Sequence, residues 1–126
     1  MELTIEKLME DYFNSWNEGF ISKNGEGIRS FMSRDFTGYW GHSGLTKPQE
    51  YGYDYDLDAV LVNEGSAYKS FDILSVTERG NGQELMVFGK ETNMINGQAF
   101  PAQCLFVWRK EATGWKLLRE YIELIK

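Results

Sequence analysis

The chain has 126 residues, a formal charge of −6, and 42% hydrophobic and 15% aromatic residues. That length fits one domain over 1–126 with a sizeable core, and the composition excludes a disordered chain. No basic stripe marks a nucleic-acid surface, and the acidic balance weighs against a strongly anionic substrate, although a pocket can oppose the net charge.

Ile5, Leu8, Met9, Tyr12, Phe13 and Trp16 recur at spacings of three and four, the stripe of an amphipathic helix with a wide apolar face. Thr4 suits the N-cap and Gly19 marks the stop. A second, shorter helix is expected over Asn24–Ser33, with Ile28, Phe31 and Met32 inward and Gly25 and Gly27 weakening its first turn. Asp35–Trp40 reads as a strand with Phe36, Gly38 and Trp40 on one side, followed by a Gly41-His42-Ser43-Gly44 loop. Thr46 and Pro48 resemble a helix start. Gln49–Val62 is ambiguous: Tyr51, Tyr55, Ala59 and Val62 fit a helical stripe, whereas Gly52 and four acidic residues weaken it. Ala67–Thr77 is a strand, with Phe71 and Ile73 on one face and Leu74 and Val76 on the other, and Gly80-Asn81-Gly82 turns it back.

Three further strands follow: Leu85–Ile95, Pro101–Lys110 and Trp115–Ile125. Asn96-Gly97 suits a tight type I′ hairpin, which needs two residues with positive φ. If Ile95 opposes Gln98, then Glu91 opposes Ala102 and Gly89 opposes Cys104, because directly opposite residues share a face. One face then carries Leu85, Val87, Gly89, Glu91, Asn93, Ala102, Cys104, Phe106 and Trp108. The other carries Met86, Phe88, Lys90, Leu105, Val107 and Arg109. Both are partly apolar, so both are expected to be covered, one by helices and one by a partner or second layer. A three-residue Ala112-Thr113-Gly114 loop places Glu120 opposite Phe106; a four-residue loop places Arg119 there, and a one-residue slip exchanges an acid for a base. The Gly position favours Glu120.

The single cysteine, Cys104, cannot make an internal disulfide and reads as a small buried hydrophobe. Asp54-Tyr55-Asp56-Leu57-Asp58 resembles the start of a calcium loop, but the sixth position is Ala59 and the twelfth Gly65, where Gly and Glu are required. One Cys and one His do not make a zinc site, and no Gly-rich phosphate loop joins a strand to a helix. No metal or cofactor is expected. Met1-Glu2-Leu3-Thr4 lacks a basic region followed by an apolar run, and no apolar run approaches membrane-spanning length. A cytoplasmic protein without nucleic-acid or membrane partners is expected.

Helices first and an antiparallel meander last is an α+β layout, with a curved sheet wrapped around the first helix. Together with the Tyr12-to-Gly19 helix end, the Ile28, Phe31-Met32, Asp35-Phe36-Thr37 lead into the first strand, and the closing Phe106-Val107-Trp108-Arg109 and Gly114-Trp115-Lys116, the chain resembles the nuclear transport factor 2-like superfamily, in particular its SnoaL-like polyketide cyclase and ketosteroid isomerase branch. The resemblance covers the whole chain and rests on residue-type patterns. It implies a cone-like α+β barrel in the order α-α-β-α-β-β-β-β, a pocket between sheet and helices, and a homodimer through the outer sheet face. It leaves the chemistry open, since one fold hosts many functions. Steroid isomerase chemistry needs an Asp base and a Tyr/Asp oxyanion hole. By resemblance the Tyr falls on Tyr12, the base on Trp40 and the oxyanion Asp on Phe106, so this activity is not expected.

Tyr12 either presents its hydroxyl to a ligand or is a core tyrosine with its hydroxyl at the rim. Glu91, mid-strand on the pocket face, must be paired, hydrated or neutral, and burial would suit it to acid–base work. His42, the only histidine, is either a titrating group near the pocket mouth or an exposed loop residue. Two readings stand. One is a small-molecule binding protein whose apolar pocket is favoured by Trp16, Trp40, Phe106, Trp108 and the tyrosine-rich Gln49–Val62 segment, with Glu120 in its wall. The other is a cyclase, isomerase or hydrolase using Tyr12, Glu91 or His42.

Overall fold

A computed structural model describes residues 4–63 and 67–125. Met1-Glu2-Leu3, read above for a leader, and Gly65, the failed calcium position, lie outside the described residues. Helix α1 (Ile5–Ser22) leads into a single turn, α2 (Glu26–Arg29), and then β1 (Met32–His42). A short strand β2 (Gln49–Gly52), helix α3 (Leu57–Asn63) and strands β3 (Ala67–Arg79), β4 (Glu84–Ile95), β5 (Gln98–Glu111) and β6 (Gly114–Leu124) complete the chain. The strands form one curved, open sheet in the order β2-β1-β6-β5-β4-β3, antiparallel except where β1 runs parallel to β6. The expected α+β architecture holds, with α1 packed across the inner face.

Helix α1 buries Leu8, Met9, Tyr12, Phe13, Trp16 and Phe20 against the sheet, and Thr4 caps it by accepting from the Lys7 N–H. It does not stop at Gly19. Phe20 still has core to bury, and the stop comes at Lys23, in the left-handed conformation at φ 62°, whose N–H donates to the Gly19 carbonyl. Gly19 serves packing instead: a Cβ there would lie 3.1 Å from Ile28 Cδ1 and 3.3 Å from Leu61 Cδ1, so its absence lets α2 and α3 close on α1.

The second helix is shorter than expected, and β1 begins at Met32 rather than Asp35. Two glycines in a short segment give little helical persistence, whereas the Leu117 N–H donating to the Phe31 carbonyl draws the chain towards β6 early. The Gln49–Val62 stretch resolves into two elements: Tyr51 belongs to β2, and α3 buries Leu57 and Leu61 while Val62 is exposed. The expected stripe of Tyr51, Tyr55, Ala59 and Val62 is therefore not helical as a unit. Strand β2 is an addition to the expected element order.

The β4–β5 register is the expected one, with Ile95 opposite Gln98, and Asn96 and Gly97 both at positive φ. The β5–β6 turn differs. Glu111 pairs with Gly114, leaving a two-residue Ala112-Thr113 loop. Continued unbroken, that register would set Arg119 opposite Phe106. A bulge between Val107 and Trp108, with Leu118 as the extra residue, shifts the pairing by one, and Phe106 opposes Glu120 after all.

Candidate functional site

One rung of the sheet builds the polar centre. Tyr51 on β2 pairs with Gly38 on β1, Gly38 with Glu120 on β6, and Glu120 with Phe106 on β5. A Cβ on Gly38 would overlap the Tyr51 ring, so the glycine lets that ring lie across β1 and reach the next strand. Tyr51 donates its hydroxyl to Glu120 Oε2 at 2.6 Å, and Tyr12 from α1 donates to Oε1 at 2.9 Å. Tyr12 is locked by edge-on contacts with Phe106 and Trp108, at 6.2 and 5.5 Å between ring centroids.

Glu120 is 3% exposed, and its carboxyl is held above the usual range. Burial is the largest cause; the Tyr51 hydrogen bond and the Lys69 charge oppose it, the Glu91 charge adds to it, and the Tyr12 bond opposes it. Tyr12 and Tyr51 are pushed well up, first by burial and then by the Glu120 charge. Tyr55 is likewise raised by burial and Glu120.

A second polar group lies on β3 and β4. Lys69 faces Asn93 directly and Glu91 diagonally across the strand pair. Its Nζ lies 3.5 Å from Glu91 Oε2, which also accepts from Asn93 Nδ2 at 2.9 Å. The ammonium sits over the Trp16 ring, 4.6 Å from its centroid, and 6.0 Å from that of Trp40. Asn17 of α1 fixes the lysine backbone by accepting from its N–H at 2.7 Å and donating to its carbonyl at 3.0 Å.

The two groups border a cavity of about 210 Å³, whose lining includes Trp16, Phe20, Trp40, Tyr51, Lys69 and Glu120, with Tyr55 and Asn93 beside them. Of the residues singled out from the sequence, Trp16, Trp40 and Glu120 line it. Tyr12 stands behind Glu120. Phe106 and Trp108 are fully buried and do not line the cavity; they support Tyr12. Glu91 is buried beneath Lys69 and Asn93 and does not line the cavity. Gly89 leaves no room beside Glu91, because a Cβ there would overlap the Asp72 carbonyl and the Phe71 ring fills the space. His42 ends β1, half-buried, its Nδ1 accepting from the Gly44 N–H at 3.1 Å, and it does not line the cavity. Cys104 is buried and its thiol is raised, mainly by that burial.

Tyr51 and Tyr55 come from the tyrosine-rich segment expected to favour the pocket, whereas Lys69 and Asn93 are not singled out by the sequence as site residues. Lys69 carried a signal: it shares the alternating inner face of β3 with Ala67, Phe71 and Ile73, where a lysine needs a reason. Among the described residues no group of three or more His, Cys, Asp and Glu could hold a metal ion. No described helix is long and apolar enough to cross a membrane.

No protein-family model matches the chain, and no curated protein matches it. Solved structures do. A protein of unknown function from Shewanella oneidensis MR-1, described as NTF-2 like, superposes with a TM-score of 0.70 at 12% identity, covering 95% of this chain and 99% of that one. The chain has the nuclear transport factor 2-like fold. An NTF2-like protein from Cytophaga hutchinsonii ATCC 33406 gives 0.66 at 12% identity, covering 98% and 100%. A domain of unknown function with a cystatin-like fold from Nostoc punctiforme PCC 73102 gives 0.69 at 13% identity, covering 98% and 78%. At these identities the likeness concerns fold alone.

Proposed function

We propose that this nuclear transport factor 2-like domain binds a small, largely apolar molecule in its cavity, without ketosteroid isomerase chemistry. The observation that carries this reading is an aromatic lining closed by a carboxylate whose two oxygens are already held by Tyr12 and Tyr51. Groups that an acid–base mechanism would need free are engaged with one another. An apolar cavity of roughly 150 Å³ admits benzene, so 210 Å³ suits one or two rings and is too small for four fused ones.

Trp16 and Trp40 in the wall make fluorescence the direct test. One- and two-ring aromatic compounds should shift tryptophan emission saturably, and Ala67→Phe, which fills the cavity from its wall, should abolish the effect. No saturable response to any of them at millimolar concentration would sink the reading.

A second reading is favoured by one feature: the raised Glu120 carboxyl borders the cavity beside the Tyr12 hydroxyl, a pairing suited to proton transfer. In that reading Glu120 replaces Glu91 and His42 as the acid–base group, with Tyr12 orienting it. Turnover of a bound compound, abolished in Glu120→Gln with binding retained, would support it.

A further inference from the structure

The polar groups of the cavity are unequally committed. Glu120 accepts from two tyrosines, and Asn93 spends its amide hydrogens on Glu91 Oε2 and on the Phe100 carbonyl at 3.4 Å. Lys69 is different. An ammonium has three N–H donors, and among the described residues this one meets a single acceptor, Glu91 Oε2, at 3.5 Å, the outer limit of a hydrogen bond. Its side chain is 9% exposed and lines the cavity. The Tyr55 hydroxyl, also in the lining, has no hydrogen-bond partner among the described residues.

These donors face the cavity and are not committed to the protein, so an occupant that brings a hydrogen-bond acceptor matches the wall better than one without. The ammonium already takes the cation position against Trp16 and Trp40, which leaves an aromatic cage for a ligand cation filled from within. Glu91 matches its charge, and Glu120 stands on the same cavity, so a ligand carboxylate would bring a charge with no partner. Resting on the binding reading above, the geometry points to an uncharged, flat carbonyl compound of one or two rings as the occupant, its carbonyl oxygen accepting from Lys69 Nζ. The Tyr55 hydroxyl serves a second acceptor on the same molecule.

Acetophenone, ethylbenzene and benzoate share a ring and differ in the acceptor. Titrated into the full chain and followed by amide NMR shifts, acetophenone should bind about tenfold tighter than ethylbenzene, the worth of one hydrogen bond from a charged donor. Benzoate should bind more weakly than acetophenone. Lys69→Met alone would strand the Glu91 charge, so the second arm uses Lys69→Met with Glu91→Gln, its folding checked by thermal melting. In that double variant the difference between acetophenone and ethylbenzene should vanish. Equal binding of the two by the native chain, benzoate binding tightest, or a preference surviving in the double variant would each overturn the inference. If ethylbenzene binds as well as acetophenone, only this inference falls; if none of the three binds, the binding reading falls with it.

Discussion

Removing Lys69 should destabilise the fold more than removing its partner. The pair is desolvated on both sides, with side chains 9% and 1% exposed. Lys69→Met leaves the Glu91 carboxylate, among the described residues, with the Asn93 amide as its one side-chain donor. Breaking a buried pair from one side costs about 3–5 kcal/mol. The 3.5 Å separation and the adjacent cavity place this case at the low end, about 3 kcal/mol, or about 12 °C in melting temperature at about 4 °C per kcal/mol for a chain of this length. Glu91→Gln should cost less, about 1–2 kcal/mol, because glutamine still accepts from Asn93 and the stranded ammonium keeps the Trp16 face and the cavity. The double variant should return to within about 1 kcal/mol of the native chain, since replacing both partners of a buried pair is often near neutral. Denaturant unfolding of all four proteins at pH 7 closes the cycle. A Lys69→Met loss below about 1 kcal/mol, or a double variant equal to the sum of the singles, would refute a coupled buried charge pair.

The Glu120 carboxyl is raised in the folded state, so the folded chain holds its proton where the unfolded chain has lost it; the stability gained from protonation is present at low pH and lost as pH rises from about 4.5 through the raised value. The stability of Glu120→Gln relative to the native chain should therefore grow across that window in parallel urea titrations, and a flat difference would contradict the raised carboxyl. Gly38→Ala should push the Tyr51 ring off Glu120 and cost about 1–3 kcal/mol, with little further loss when Tyr51→Phe is added; full additivity would show that the glycine does not hold that contact. Of the outer-face residues Met86, Phe88, Leu105 and Val107, Val107 is already buried within the chain, but Phe88 is 39% exposed with Met86 and Leu105 half-buried beside it, so we expect a dimer through this face. Light scattering should report twice the 14.6 kDa chain mass at micromolar concentration; the single-chain mass would remove the proposal.

The large features of the fold were legible because they rest on strong periodic signals. The α1 stripe placed five buried side chains, Leu8, Met9, Tyr12, Phe13 and Trp16, on one face, and Asn96-Gly97 set a register from which every β4–β5 pair follows. What misled were residues with two uses. Gly19 looks like a helix stop but makes room for Ile28 and Leu61, a tertiary demand that local pattern does not encode. Tyr51 and Tyr55 fit a helical spacing by coincidence, while Tyr51 is drawn into a strand by pairing with β1.

The site was half legible for a related reason. Its carboxylate was placed correctly, but by an argument about loop length that the chain does not follow: the turn is shorter than expected, and only the Leu118 bulge returns Glu120 to the inner face. Bulges answer to the curvature of a whole sheet, so a single strand sequence carries little sign of them. Glu91 drew notice as an isolated acid among apolar neighbours, and the same logic applied to Lys69 on the preceding strand would have paired them, since both occupy inward positions of adjacent strands. The Tyr12–Glu120–Tyr51 contact could not be assembled that way. It joins a helix, the last strand and an edge strand across a glycine, and each residue taken alone has an ordinary structural use. A constellation built from commonplace parts becomes visible only when the fold brings them to one rung.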